Sequence, residues 1–187
     1  MGKLIVAADF FTVEVWTRQG LQRFIVLFFL DLSTRPVEIA GLASPANGLW
    51  MGPIGRRVTD AVDGILNGRR YLIPDGDPWF TAEFLNLLAG VGIESVKLPP
   101  RSPNWNAPAE RLVRSSKESC LDRLILFGEE SLRTAVSQFV AHDHRERPHL
   151  GLGNQFLCPE PSQLGNTGVV QQPQHFGGLL NYYDRAA

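Results

Sequence analysis

The chain of 187 residues is 44% hydrophobic and 20% charged, which suits an ordinary soluble domain with one sizeable core and excludes a disordered or fibrous polymer. A formal net charge of -1 does not by itself nominate a nucleic-acid binder, and the two cysteines, Cys120 and Cys158, have no zinc-finger spacing and fit a reducing compartment. The longest apolar run, Phe24 to Leu30, is too short to span a bilayer and no leader pattern precedes it, so the expected location is the cytoplasm, with no membrane partner.

Residues 3 to 14 and 21 to 32 read as two strands rich in Ile, Val and Phe, joined by a turn at Arg18-Gln19-Gly20, and Val37 to Leu42 reads as a third. Short connections between consecutive strands predict an antiparallel meander, and nearly continuous apolar runs predict a sheet covered on both faces. After Ser44-Pro45-Ala46-Asn47-Gly48 the period changes. Trp50, Ile54, Val58, Val62 and Leu66 form one helical stripe, which Asn67-Gly68 would end as a C-cap. Tyr71 to Ile73 reads as a fourth strand, Thr81 to Ala89 as a helix capped by Thr81, and Ile93 to Leu98 as a fifth strand. A Pro/Asn loop then leads to helices from about Pro108 to Leu124 and Glu129 to Arg145. Beyond Arg147-Pro148-His149 the chain reads as irregular. Strands separated by crossover helices make this an α/β fold, with a mixed sheet of three antiparallel strands followed by two parallel ones and helices on both faces. The expected division is a core over residues 1–153 and a mostly irregular tail over 154–187. Trp16 and Trp50 are expected in the core.

Three carboxylates carry the chemistry. Asp9 interrupts the apolar run Leu4 to Ala8, on the strand face shared with Ile5 and Ala7, where a charge is costly without a metal or a donor beside it. Asp75 follows the fourth strand, and Glu110 opens a helix. Taken singly each has a plain structural alternative: a carboxylate satisfied by Arg or backbone donors, an Asp-Gly-Asp turn, and a residue complementing the helix dipole. Taken together, with the first and fourth strands as neighbours, they suit two Mg²⁺ ions, which are hard and prefer oxygen ligands. Arg114 and Lys117 share a helical face with Glu110. Arg114 can form a solvated pair with Glu110, whereas Lys117 would reach a DNA phosphate. The opposite stripe, Ala109, Val113, Ser116, Cys120 and Leu124, is expected to pack inward. Trp105 in the loop is either a base-stacking aromatic or a loop anchor. His142, His144 and His149 gather near Asp143, but their spacing on a helix end points them apart and no metal role is expected of them.

Four segments in order, Ala8-Asp9-Phe10-Phe11-Thr12-Val13-Glu14, Leu72-Ile73-Pro74-Asp75-Gly76-Asp77-Pro78-Trp79-Phe80-Thr81, Ser102-Pro103-Asn104-Trp105-Asn106-Ala107-Pro108-Ala109-Glu110-Arg111 and Arg145-Glu146-Arg147-Pro148-His149, resemble the integrase catalytic core of insertion-sequence transposases and retroviral integrases. That family belongs to the ribonuclease H-like fold. The resemblance covers residues 3 to 153, with Asp75 and Glu110 one residue closer than the family's usual interval. It implies a DDE triad in which Asp9 bridges two Mg²⁺ or Mn²⁺ ions, Asp75 completing one and Glu110 the other. Asp77 falls to the turn. Lys117, Arg114, Trp105 and Arg101 become DNA contacts. The activity implied is cleavage freeing a DNA 3′ end and its transfer into target DNA, by a dimer or higher homo-oligomer associated with the nucleoid. Since the first strand begins almost at Met1, the N-terminal DNA-binding domain usual in the family is expected to be separate or missing. An RNase H-like nuclease and an inert core serving dimerisation or DNA binding are the alternatives.

Overall fold

The protein is seen in a computed structural model that describes residues 5–44, 48–97, 107–149, 153–158, 170–171, 174–181 and 184–185. Strand β1 (Ile5–Thr17) and strand β2 (Gly20–Asp31) form a long hairpin whose turn depends on Gly20 at φ 103°, a conformation only glycine adopts without strain. Strand β3 (Val37–Ala43) continues the meander. Strands β4 (Tyr71–Pro74) and β5 (Glu94–Ser95) add on the other side of β1, both parallel, in the order β3-β2-β1-β4-β5. This is the mixed sheet expected from the sequence.

Strand alternation divides the core into two layers. Val6, Ala8, Leu27 and Phe29 face helix α1 (Met51–Val58) and helix α2 (Ala82–Gly90), packing with Met51, Ile54, Phe84 and Leu88. Phe11, Val13, Val26 and Phe28 point the opposite way, against helix α3 (Ala107–Ser119) and helix α4 (Gly128–Arg145), where Ala109, Leu132 and Val136 meet them. Burial on both faces explains why β1 and β2 read as almost unbroken apolar runs. Thr81 caps α2 by accepting the Phe84 N–H at 3.2 Å. The inward stripe is buried at Ala109 and Ser116 of α3 and at Cys120 just past its end, but the helix stops at Ser119 rather than near Leu124.

Three expectations are corrected. The stripe from Trp50 to Leu66 is not one helix, because α1 stops at Val58. The Asp60 carboxylate accepts the Val62 and Asp63 N–H groups at 2.8 and 3.2 Å, an Asx-type turn that competes with helix. Gly64 then passes so close that a Cβ there would lie 2.5 Å from the Asp60 backbone. Leu66 is buried all the same, returned by a Leu66 N–H bond to the Val58 carbonyl at 2.9 Å, while Val62 is exposed. Strand β5 is shorter than expected, two residues long, with Val96 N–H still bonded to Leu72. Trp16, expected in the core, is 50% exposed, because α1 and α2 do not extend over the hairpin end. Trp50 packs against the α1/α2 layer as expected.

Beyond the core, β6 (Val170–Gln171) pairs with β9 (Asp184–Arg185), and β7 (Gln174–His175) with β8 (Leu180–Asn181). Phe176 and Leu180 lie on Cys120, Phe139 and Val140, so this segment covers the outer side of α3 and α4. Among the described residues no helix is long and apolar enough to cross a membrane.

Candidate metal centre

Asp9 lies where β1 passes the end of β4. It is 7% exposed and sits among odd-numbered β1 residues that face α3 and α4. One of its oxygens accepts the adjacent Phe10 N–H at 2.7 Å. The parallel register pairs Ala7 with Ile73 and Ala8 with Pro74, and the Asp75 N–H donates to the Ala8 carbonyl at 2.9 Å. The ladder therefore runs one step further and sets Asp75 beside Asp9, on the same side of the sheet. Asp75 is exposed, with Oδ1 accepting the Gly76 N–H at 2.9 Å. One carboxylate is thus held in the floor of the sheet and the other stands at its solvent edge.

The turn after Asp75 is built as the sequence suggests. Asp77 accepts the Trp79 N–H through its side chain at 2.9 Å and the Phe80 N–H through its carbonyl at 3.1 Å, so it shapes the turn. Phe80 then packs on Phe10, ring centroids 4.7 Å apart, and Trp50 approaches Phe10 at 6.3 Å. This aromatic group braces both the residue after Asp9 and the loop after Asp75 from the opposite face of the sheet. Its signal was present, since Phe10 and Phe80 flank both acids, but nothing in the spacing said that they meet. A second brace also went unread. Asp31, at the end of β2, binds Arg69 at 2.7 Å and accepts from the Ser33 N–H and hydroxyl and the Thr34 N–H. Burial pushes its carboxyl upward, but these donors and Arg69 prevail and hold it below the usual carboxylate range. Arg69 lies two residues before β4, so the pair ties the start of β4 to the same end of the hairpin.

Glu110 is in the first turn of α3, the helix whose Ala109 packs on the Asp9 face of the sheet. Its side chain is exposed, as is that of Arg114, while Lys117 is half-buried. No ion pair joins Glu110 to Arg114 among the described residues. Arg101 and Trp105 lie outside the described residues. The structure thus sets Asp9 and Asp75 side by side and puts Glu110 on the helix covering their face. Among the described residues, however, no three His, Cys, Asp or Glu side chains gather closely enough to hold an ion. The two aspartates fit a hard divalent cation by donor chemistry, as paired oxygen ligands with one group open to solvent.

The histidines diverge as expected. The ring Nδ1 of His142 meets Glu146 at 2.7 Å, His144 Nε2 accepts the Val37 N–H at 2.8 Å, and His149 Nε2 meets the Asp143 carbonyl at 2.8 Å. Both cysteines are free thiols, and burial pushes Cys120 up to about 11, far from a reactive thiolate.

This arrangement, a long hairpin, a third antiparallel strand and two parallel strands between two helical layers, is the fold of integrase and transposase catalytic cores, the ribonuclease H-like fold. The chain is similar to the Mos1 transposase catalytic domain, solved with Raltegravir and Mn, at 16% identity and a TM-score of 0.54, over 75% of this chain and 72% of that one. It is similar to the catalytic core domain of BIV integrase at 17% identity and a TM-score of 0.52, over 80% and 89% of the two chains. The HTLV-2 integrase catalytic core domain, in complex with magnesium in a trimeric form, matches at 10% identity and a TM-score of 0.51, over 84% and 95%. No family model and no curated protein sequence matches the chain.

Proposed function

We propose that this chain is the catalytic core of a metal-dependent polynucleotidyl transferase, a DDE transposase or integrase that frees a DNA 3′ end and joins it to target DNA. The observation that carries the reading is the juxtaposition of Asp9 and Asp75 on neighbouring parallel strands, in a fold shared with integrase and transposase cores. In this reading Asp9, Asp75 and Glu110 would hold Mg²⁺ or Mn²⁺, and the chemistry such a cation would supply there is activation of the attacking oxygen and neutralisation of charge on the leaving one.

The chain's own residues supply position. Asp9 is held in the backbone of β1 opposite Phe28 of β2, one residue past the last pair with β4, and Asp75 offers its outer oxygen to ligands arriving from solvent. Glu110 joins them from the first turn of α3. Lys117 and Arg114, further along that helix, are the contacts to DNA phosphates, and Arg101 and Trp105 are further DNA contacts. The partners are DNA and further copies of the chain, in keeping with the trimeric form named for the HTLV-2 core.

Incubation with supercoiled plasmid and Mn²⁺ tests this without knowledge of the element ends. Nicking that disappears in Asp9→Asn and Asp75→Asn supports the reading. Cleavage of an RNA–DNA hybrid in place of the plasmid assigns an RNase H-like nuclease instead. Absence of both, with no Mg²⁺ uptake by calorimetry, assigns an inert core.

A further inference from the structure

Strand β1 is paired along its length on the β2 side but only towards its two ends on the other. Thr17 and Gly20 pair across the two-residue turn, and the alternation of an antiparallel ladder then turns the N–H and C=O groups of odd-numbered β1 residues to β2 and those of even-numbered ones to the opposite edge. At one end of that edge the Asp75 N–H donates to the Ala8 carbonyl at 2.9 Å. At the other the Trp16 N–H donates to the Leu126 carbonyl at 2.9 Å, with Phe127 beside Trp16 in a parallel bridge. Between them, among the described residues, no backbone group meets the N–H of Thr12 or Glu14 or the carbonyl of Phe10 or Thr12.

A gap in the middle of a ladder is specific about what fills it. This one presents two donors and two acceptors in alternation, like groups repeating every ~7 Å along the strand. A nucleic-acid backbone carries acceptors alone and would set its phosphates against the two carbonyls, whereas an extended polypeptide answers all four groups. Both flanking partners run parallel to β1, which fixes the register. A residue beside Phe11 donates to the Phe10 carbonyl and accepts from the Thr12 N–H; a residue beside Val13 donates to the Thr12 carbonyl and accepts from the Glu14 N–H. Their side chains project to the α3/α4 face, as those of Phe11 and Val13 do. The first stands ~7 Å along the sheet from the Asp9 and Asp75 carboxylates, within reach of a lysine or arginine. The second adjoins the apolar side chain of Val13, which favours an apolar neighbour.

We propose that the β1 edge from Phe10 to Glu14 takes up an extended segment of a partner polypeptide, added parallel to β1, with a basic residue beside Phe11 and an apolar residue beside Val13. The proposal stands apart from the metal-site reading, since backbone pairing carries it. Three inserted residues make four hydrogen bonds, so the segment binds weakly by itself and its affinity resides in the ladder.

Amide hydrogen exchange of the full chain tests it. In the free chain the Thr12 and Glu14 amides should exchange roughly tenfold faster than those of Phe11 and Val13, which bond to β2. The probe acetyl-Lys-Thr-Val-amide, in large excess, should slow Thr12 and Glu14 about threefold. Methylating its Lys and Val amide nitrogens, which face β1, should abolish the effect, and methylating its Thr nitrogen, which faces away, should preserve it. Thr12→Pro removes an edge donor that the β2 ladder does not use, so it should keep the circular dichroism spectrum and lose the protection at Glu14; the methylated probes decide the matter on the unaltered chain. Thr12 and Glu14 amides already protected in the free chain overturn the proposal. So does protection indifferent to which nitrogen is methylated, or protection by a short oligonucleotide where the peptide gives none.

Discussion

The two ends of β1 break the ordinary rules of a buried strand in opposite ways. At the Asp9 end a carboxylate sits in the floor of a sheet covered on both faces, and at the Trp16 end a large aromatic side chain stands half in solvent. Between them Phe11, Val13 and Val15 obey the pattern and are buried. Violations that a stable fold retains tend to mark function, and here one strand carries two: a charge where the core would prefer none, and apolar surface where water would prefer none. The Asp9 end is braced from every side, by β2, by β4 and by the Phe10, Phe80 and Trp50 group. The hairpin end has one face that the α1/α2 layer does not reach.

The comparison is sharpened most by Asp9→Asn. Metal assistance supplies several kcal/mol of transition-state stabilisation, so nicking in the plasmid assay should fall on the order of 10³-fold. The thermal midpoint should change far less than the activity, because the amide oxygen can still accept the Phe10 N–H. A lower midpoint matching the lost activity would make Asp9 a structural residue and dissolve the contrast between the two ends.

Asp31→Asn separates the ends mechanically. It removes the ion pair to Arg69 and should cost about 2 kcal/mol in denaturant unfolding, since hydrogen bonds to a buried charge are worth more than neutral ones. Hydrogen exchange should show the loss at Val6 to Asp9 and in β4, with Val13 to Trp16 unchanged. Uniform loss along β1 would mean that the two ends are not independent.

A smaller effect comes from His144, whose Nε2 accepts the Val37 N–H at the start of β3 and so serves only while unprotonated. Burial lowers its pKa from the usual 6.5; Asp143 pulls it back up, and His149 and Arg145 lower it further. The folded state therefore binds fewer protons than the unfolded one. The contribution is complete above pH 6.5 and fades as pH falls through 6.5 toward the lower folded value. His144→Gln, which cannot take up the proton, should flatten the dependence of the melting midpoint on pH over this range, and an unchanged slope would remove His144 as its source. Thr81→Ala, which strips the cap of α2 beyond the Asp75 turn, should cost about 1 kcal/mol in denaturant unfolding.

Most of the sheet was legible because its strands are apolar on both faces, which gives long runs and short turns. The adjacency of Asp9 and Asp75 was legible from topology: a fourth strand returning beside the first places their ends together. What the sequence could not show were effects of one element's reach over another. The helical stripe to Leu66 looked continuous because Leu66 is indeed buried, yet Asp60 and Gly64 bring it there by a turn. Trp16 looked like core because nothing in β1 says how far the α1/α2 layer extends. Phe10 and Phe80 carried the brace of the site as unremarkable aromatic letters. The direction of Glu110 depends on how α3 is entered from residues 98–106, a stretch rich in proline whose path no periodicity dictates.

The central claim is that Asp9 and Asp75, set side by side by the register of β1 and β4, hold a divalent ion. Paramagnetic broadening of backbone amide signals by Mn²⁺ tests it most directly, because it reports position without requiring a DNA substrate. Substoichiometric Mn²⁺ should broaden Ala8 to Phe10, Asp75 and Gly76, and the first turn of α3 around Glu110, and the effect should vanish in Asp9→Asn. Broadening centred elsewhere, or none at these residues, would contradict the account.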